Sequence, residues 1–150
     1  MPLARSTSLN TAAVRPVNGS RACELVTIST DTQFTHLAWH RDEKSLKDVK
    51  YPMGSDRTGV VAKLFGVYDE GSGLTLRGTF ILNPEGRLMS SEIAFYNAGR
   101  NVDELLRKFK ANIYLAKNPK EGCPSKWKDE GDKTLKPSAA MVGKVFEALQ

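Results

Sequence analysis

Cys123 stands in the segment EGCPSKW. The proline that follows it excludes regular helix and keeps the sulfur on an extended segment. Lys120, Lys126 and Lys128 surround it, and nearby positive charge favours a thiolate over a thiol. A thiol so placed suits thiol–disulfide exchange; an unreactive surface or partly buried cysteine is the alternative reading. Cys23 opens the apolar run CELVTIS and reads as a small buried hydrophobe. Arg77 interrupts the apolar strand LTLRGTFIL, and a charge there must reach water, a partner or an anion. It is either an outward-facing edge residue or a cation aimed into a pocket, where it would hold a thiolate or a polarised oxygen substrate. His36 and His40 have the i, i+4 spacing of a metal pair. No HExxH glutamate and no third ligand accompany them, so a helix-surface or packing role is the reading adopted. No GxSxG or phosphate-binding loop occurs, and no basic stretch is interleaved with stacking aromatics.

These residues need elements to position them, and composition bounds what those elements are. The chain has 150 residues, 40% of them hydrophobic and 26% charged, which allows one soluble domain with a core. Two cysteines exclude a disulfide-dense scaffold and any four-cysteine zinc module. No run of 18 or more apolar residues occurs, so no membrane-spanning helix is expected. The net charge of +5 is weighted towards residues 1–22, which hold Arg5, Arg15 and Arg21 and no acid. That segment, MPLARSTSLNTAAVRPVNGSRA, has no sustained apolar period. It reads as a disordered tail, a transit-type leader or the product of out-of-frame translation.

Globular patterning begins at Cys23. Glu24–Ser29 reads as a strand, and Thr30 and Asp31 as caps for a helix over 32–41 with Phe34, Leu37, Ala38 and Trp39 as its apolar face. Tyr51–Ser55 is a short strand or a loop. Asp56 caps a helix over 58–65 that Gly66 stops. Leu74–Leu82 and Arg87–Tyr96 form a hairpin about the Asn83–Gly86 turn. Asn101 opens the longest helix, to about Ala116, with an apolar stripe from Val102 to Leu115. Residues 118–137 are an extended arm, and Ser138 caps a last helix ending near Leu149. This order indicates an α/β sandwich around a mixed sheet.

Taken in sequence, CELVTISTDTQFTHLAWH, YPMGSD, GLTLRGTFILNPEGRL, GRNVDELLRKFKANIY and EGCPSKWK resemble the typical 2-Cys peroxiredoxins of the bacterial alkyl hydroperoxide reductase C subunit type. The resemblance runs from Cys23 to Gln150. It implies a thioredoxin-like three-layer sandwich, here incomplete at its N-terminus, with a partial core over 23–116, a C-terminal arm over 117–150 and a non-matching segment 1–22. It implies cofactor-free, metal-free reduction of hydrogen peroxide and alkyl hydroperoxides. Cys123 falls at the family's resolving cysteine, with Gly122 in place of the usual valine. Arg77 falls at the strand arginine that holds the attacking thiolate and the peroxide. The family's Pro-x-x-x-Thr-x-x-Cys motif has no counterpart in residues 1–22, and Cys23 does not replace it, so no peroxidatic cysteine is expected in this chain.

The resemblance implies a sheet in which the strand before the peroxidatic helix is central, between the strands matching Glu24–Ser29 and Leu74–Leu82. Without it, unpaired buried backbone groups would cost about 1–3 kcal/mol each. Nothing in residues 1–22 has a strand pattern, so none of it is expected to insert there, and a poorly folded monomer is expected. The resemblance further implies a dimer or larger ring and a thioredoxin-like or flavoprotein disulfide reductase as partner; a cytoplasmic setting is expected because a reducing pool must recycle the disulfide, and the modest net charge gives no reason to expect a nucleic-acid or membrane partner. The chain alone is expected to be an inactive, truncated peroxidase subunit. The alternative is a non-catalytic redox-responsive dimerisation module that pairs with an intact peroxiredoxin.

Overall fold

The computed structural model describes residues 11–16 and 23–150. The chain divides into two compact units, 1–100 and 101–150. The helix opened by Asn101, placed by the sequence within the 23–116 core, lies in the second of these units.

The first unit is built on a five-stranded mixed sheet. Its strands are β1 (Thr11–Pro16), β2 (Cys23–Ser29), β3 (Met53–Ser55), β6 (Arg77–Leu82) and β7 (Leu88–Ala94), in the order β3-β2-β1-β6-β7. The remaining strands, β4 (Tyr68–Asp69) and β5 (Leu74–Thr75), form a separate two-stranded antiparallel ribbon. The expected long strand over 74–82 is thus broken at Leu76, where its N–H turns to the carbonyl of Val67 (2.7 Å).

The central place in the sheet is taken by β1. It runs antiparallel to β2, with Pro16 opposite Cys23, and parallel to β6, with Thr11 opposite Gly78. This corrects the expectation that nothing in residues 1–22 enters the sheet. The reason lies in the neighbours: β2 and β6 each present a row of backbone donors and acceptors, and pairing them is worth more than a matching apolar alternation in the inserted strand. The tail expected over the rest of that segment, residues 1–10 and 17–22, lies outside the described residues.

Helix α1 (Gln33–Asp42) starts at Thr32, whose hydroxyl accepts from the Thr35 N–H at 3.1 Å. The cap is one residue beyond the expected Thr30 and Asp31. Its buried residue is His36, while Phe34 and Leu37 are exposed, so the expected apolar face is not the one turned inward. His36 takes that place because Ser29 supplies a partner: its Oγ lies 2.7 Å from His36 Nε2 and also donates to Asp31 Oδ2 at 2.9 Å.

Helix α2 (Val60–Leu64) is short. The buried carboxylate of Asp56 accepts from the N–H of Ala62 at 2.8 Å and satisfies a donor at the helix start. Gly59 precedes the helix at φ +70°, with the Tyr68 ring against its α-carbon. The core of this unit is Ala62, Val67 and Phe80, with Phe65, Tyr68 and Leu76 packed on it; the Phe65 and Phe80 ring centroids are 4.6 Å apart. Gly78 is required by that packing, because a Cβ there would lie 2.7 Å from Phe80 and 2.9 Å from Val67.

The second unit begins with α3 (Val102–Lys117), capped by Asn101 through a 3.1 Å bond to the Glu104 N–H and carrying Asp103 and Glu104 in its first turn. Phe109 is its buried residue, while Val102 and Leu106 are exposed. A one-turn 3-10 helix (Ala139–Met141) and α4 (Val145–Leu149) end the chain; Ser138 makes no side-chain capping bond.

Candidate functional site

In the first unit, the hairpin of β6 and β7 sets Arg77 opposite Ala94, Gly78 opposite Ile93 and Thr79 opposite Glu92. Arg77 is half-buried. Its Nε donates to the carbonyl oxygen of Tyr96 at 2.7 Å, and its terminal amino groups make no hydrogen bond among the described residues. One of its donors is thus held by backbone.

Arg100 joins it. Arg100 donates through Nε to Thr79 Oγ1 (2.8 Å) and through a terminal nitrogen to the Gly78 carbonyl (2.8 Å). Burial, first, and the charge of Arg77, second, press its pKa downward, against an opposing pull from Glu92. The loop between β7 and α3 thus brings a second guanidinium beside the strand arginine. Sequence reasoning missed Arg100, because its partners are set by the β6–β7 register and by a loop that returns to it; the Gly99–Arg100 pair was the only local signal.

Cys123 lies in the second unit and is partly exposed. It is flanked by an isolated antiparallel bridge between Gly122 and Leu135, with N···O distances of 2.7 and 2.9 Å. The carboxylate of Glu121 accepts from Tyr114 on α3 (2.7 Å) and from Thr134 on the returning arm (2.6 Å). Trp127 is buried against Tyr114, with ring centroids 5.5 Å apart, and its carbonyl accepts from Arg107 at 3.1 Å. Arg107 also holds Glu104 with two nitrogens, and Lys110 pairs with Asp129. The arm is thus fastened to α3 on both sides of the thiol.

Burial pushes the Cys123 thiol above its ordinary value; Arg107 pulls it down and Glu121 pushes it up. This corrects the expectation that Lys120, Lys126 and Lys128 would hold a thiolate. The cation that acts on the sulfur is Arg107, and it loses to desolvation. Cys23 is exposed at the start of β2, which corrects its reading as core packing: strand ends carry side chains out of the layer that the strand middle builds.

His36 and His40 do not converge. His36 Nε2 meets Ser29, and His40 Nε2 meets the Val49 carbonyl at 3.0 Å. Among the described residues no three His, Cys, Asp or Glu side chains gather as a metal site needs, and no helix is long and apolar enough to cross a membrane.

Comparison with known proteins gives the arrangement a context. A family model described as AhpC/TSA family matches residues 10–91. The match begins upstream of Cys23 and ends before α3. Alkyl hydroperoxide reductase C of Salmonella typhimurium is 43% identical over 122 residues, 81% of this chain and 65% of that protein. The protein of the same name from Ferdinandcohnia aciditolerans is 43% identical over 122 residues, 72% of its length. The chain therefore spans about 65% of the Salmonella relative that it matches. Among solved structures, Enterococcus faecalis AhpC superposes with a TM-score of 0.67 at 32% identity, covering 75% of this chain and 81% of that one. The reduced 2-Cys peroxiredoxin of Plasmodium vivax superposes with a TM-score of 0.74 at 23% identity, covering 89% and 81%. The expected thioredoxin-like α/β fold is the fold these structures share with this chain.

Proposed function

Because the chain belongs to the AhpC/TSA family, we propose that it serves in thiol-dependent reduction of hydrogen peroxide and alkyl hydroperoxides, contributing Cys123 as the resolving thiol and Arg77 as the residue that steadies the attacking thiolate and the peroxide. The observation that carries this reading is the placement of Cys123. It is a partly exposed cysteine next to a bridge and a buried tryptophan, on an arm fastened at both sides of the thiol.

The peroxidatic thiolate is supplied by an intact family member. That thiolate attacks the terminal oxygen of ROOH; the O–O bond breaks, the sulfur keeps the OH as sulfenic acid, and the departing RO⁻ takes up the proton released when the thiol ionised, leaving as ROH. The Cys123 sulfur then attacks the sulfenic sulfur. An S–S bond forms, and the hydroxyl departs as water with the Cys123 proton. A dithiol reductase of the thioredoxin-like or flavoprotein class returns two electrons and two protons and restores both thiols.

The raised Cys123 pKa bears on direct oxidation, which a protonated thiol resists; the resolving attack is made by the thiolate fraction. For the first step, Arg77 offers terminal donors that are not committed elsewhere among the described residues, and such donors stabilise developing negative charge on a peroxide oxygen. Pairing with the family member would use β7, a sheet-edge strand with Leu88, Met89 and Ile93 exposed. A cytoplasmic setting follows from the need for a reducing pool.

The test mixes this chain with an intact typical 2-Cys relative that lacks its own resolving cysteine and adds one equivalent of hydrogen peroxide. A disulfide joining Cys123 to the relative's peroxidatic cysteine, found by mass spectrometry and abolished by Cys123→Ser, is the expected result. Oxidation of the relative with Cys123 left as free thiol overturns the proposal.

A further inference from the structure

The carbonyl that fixes Arg77 belongs to Tyr96, and Tyr96 is itself tied down. Its hydroxyl donates to Asp69 Oδ2 at 2.5 Å and lies 3.0 Å from Ser72 Oγ. Ser72 donates to the same Asp69 oxygen at 2.6 Å, and the N–H of Gly71 reaches the other at 3.0 Å. Asp69 sits in the β4–β5 ribbon opposite Leu74, and its own carbonyl accepts from the Gly73 N–H at 2.9 Å. That ribbon leads directly through Leu76 into Arg77.

The contacts form a closed circuit. Arg77 enters from the ribbon, its guanidinium is held by the Tyr96 backbone, and the Tyr96 side chain returns to the ribbon. Tyr96 lies just past the end of β7, beyond the ladder that pins Ala94 to Arg77, so its backbone is not fixed by the sheet. The turn that carries it is closed by the Ala98 N–H on the Phe95 carbonyl (3.0 Å), and its hydroxyl holds the other end of the residue. The ring is further braced by Phe95, 4.8 Å away between centroids. The Asp69 carboxyl is held below its usual value by Ser72 and Tyr96, and the Tyr96 hydroxyl is raised by Asp69, as a charge-assisted bond requires.

We infer that Asp69 and Tyr96 are positioning residues for Arg77: the tyrosine, anchored by the aspartate, places the carbonyl that orients the guanidinium. The functional meaning of this inference rests on the reading of Arg77 given above, but its test does not.

The test follows the Nε–H of Arg77 by 15N NMR in the full chain, with the Nε–H groups of Arg100 and Arg107 as internal controls. Tyr96→Phe keeps the ring and removes the hydroxyl; Asp69→Ala removes the anchor. In both variants, solvent exchange of the Arg77 Nε–H is expected to rise about five- to tenfold, the scale of one lost hydrogen bond, while Arg107 is unchanged. Exchange within about twofold of wild type in both variants overturns the inference. So does a rise shared equally by Arg107, which would report general loosening. Arg77→Met leaves the Asp69–Tyr96 bond intact and bears only on the role of the guanidinium towards peroxide, so the two readings fail separately.

Discussion

Arg107 is the cation that acts on the Cys123 thiol, and burial of that thiol outweighs it. The balance makes the cysteine slow to ionise while keeping a positive charge nearby. Alkylation of Cys123 by iodoacetamide is therefore expected to reach half its limiting rate at a pH above that of a free cysteine peptide. Arg107→Ala should move that midpoint further up and Glu121→Gln should move it down, since the two side chains act with opposite sign. A wild-type midpoint below that of a free cysteine peptide under the same conditions would contradict the described environment.

The arm should loosen in acid. Glu121 is held below its ordinary 4.5 by Thr134 first and Tyr114 second. A carboxylate with a depressed native pKa contributes its stabilisation fully above the ordinary value and loses it as pH falls through the lower native one. Trp127, stacked on Tyr114, reports the change. In a Trp39→Phe background, its fluorescence is expected to be constant above about pH 5 and to shift below about pH 4. Glu121→Gln should remove the step; a step of equal size in that variant would place its cause elsewhere.

Thr79 is a buried threonine whose hydroxyl accepts from Arg100. Thr79→Val preserves the volume and leaves that donor unsatisfied in a partly desolvated position. A loss of about 1–3 kcal/mol is expected, measured by urea unfolding, together with a changed Arg100 Nε–H signal. Unchanged stability would mean that Arg100 finds another acceptor at no cost.

Gly78→Ala tests the packing beneath the two arginines. The added methyl would press on Phe80 and Val67, both buried. Destabilisation of about 1–3 kcal/mol is expected from overpacking, read as a lower urea midpoint at unchanged slope. A neutral result would show that the Phe80 ring moves freely.

Much of this arrangement could be read in the residues. Asn101 followed by Asp103 and Glu104 marks the start of α3, and Asn83-Pro84-Glu85-Gly86 marks the turn that pairs β6 with β7. These are local signals, set by capping and by backbone torsions at Gly86 (φ +80°). What escaped depends on partners distant in sequence. β1 has no strand alternation of its own and is held by backbone pairing on both sides. His36 displaces Phe34 and Leu37 from the inward position because Ser29 is there to bond it. Arg77 was legible as a charge in an apolar strand, yet its companion Arg100 and its anchor Tyr96 were not, since both lie past the hairpin and meet partners about twenty residues back along the chain.

The direction of β1 bears on the order in which the sheet can assemble. Its antiparallel partner follows at once, with Pro16 against Cys23, whereas its parallel partner brings Thr11 to Gly78 across most of the first unit. The first contact spans few residues and is expected to form early; the second is expected to follow once α1, α2 and the β4–β5 ribbon have shortened the chain between its partners. The middle of this sheet would then be its seam, and the rate at which the unit folds should follow the stability of the helices that draw its two sides together.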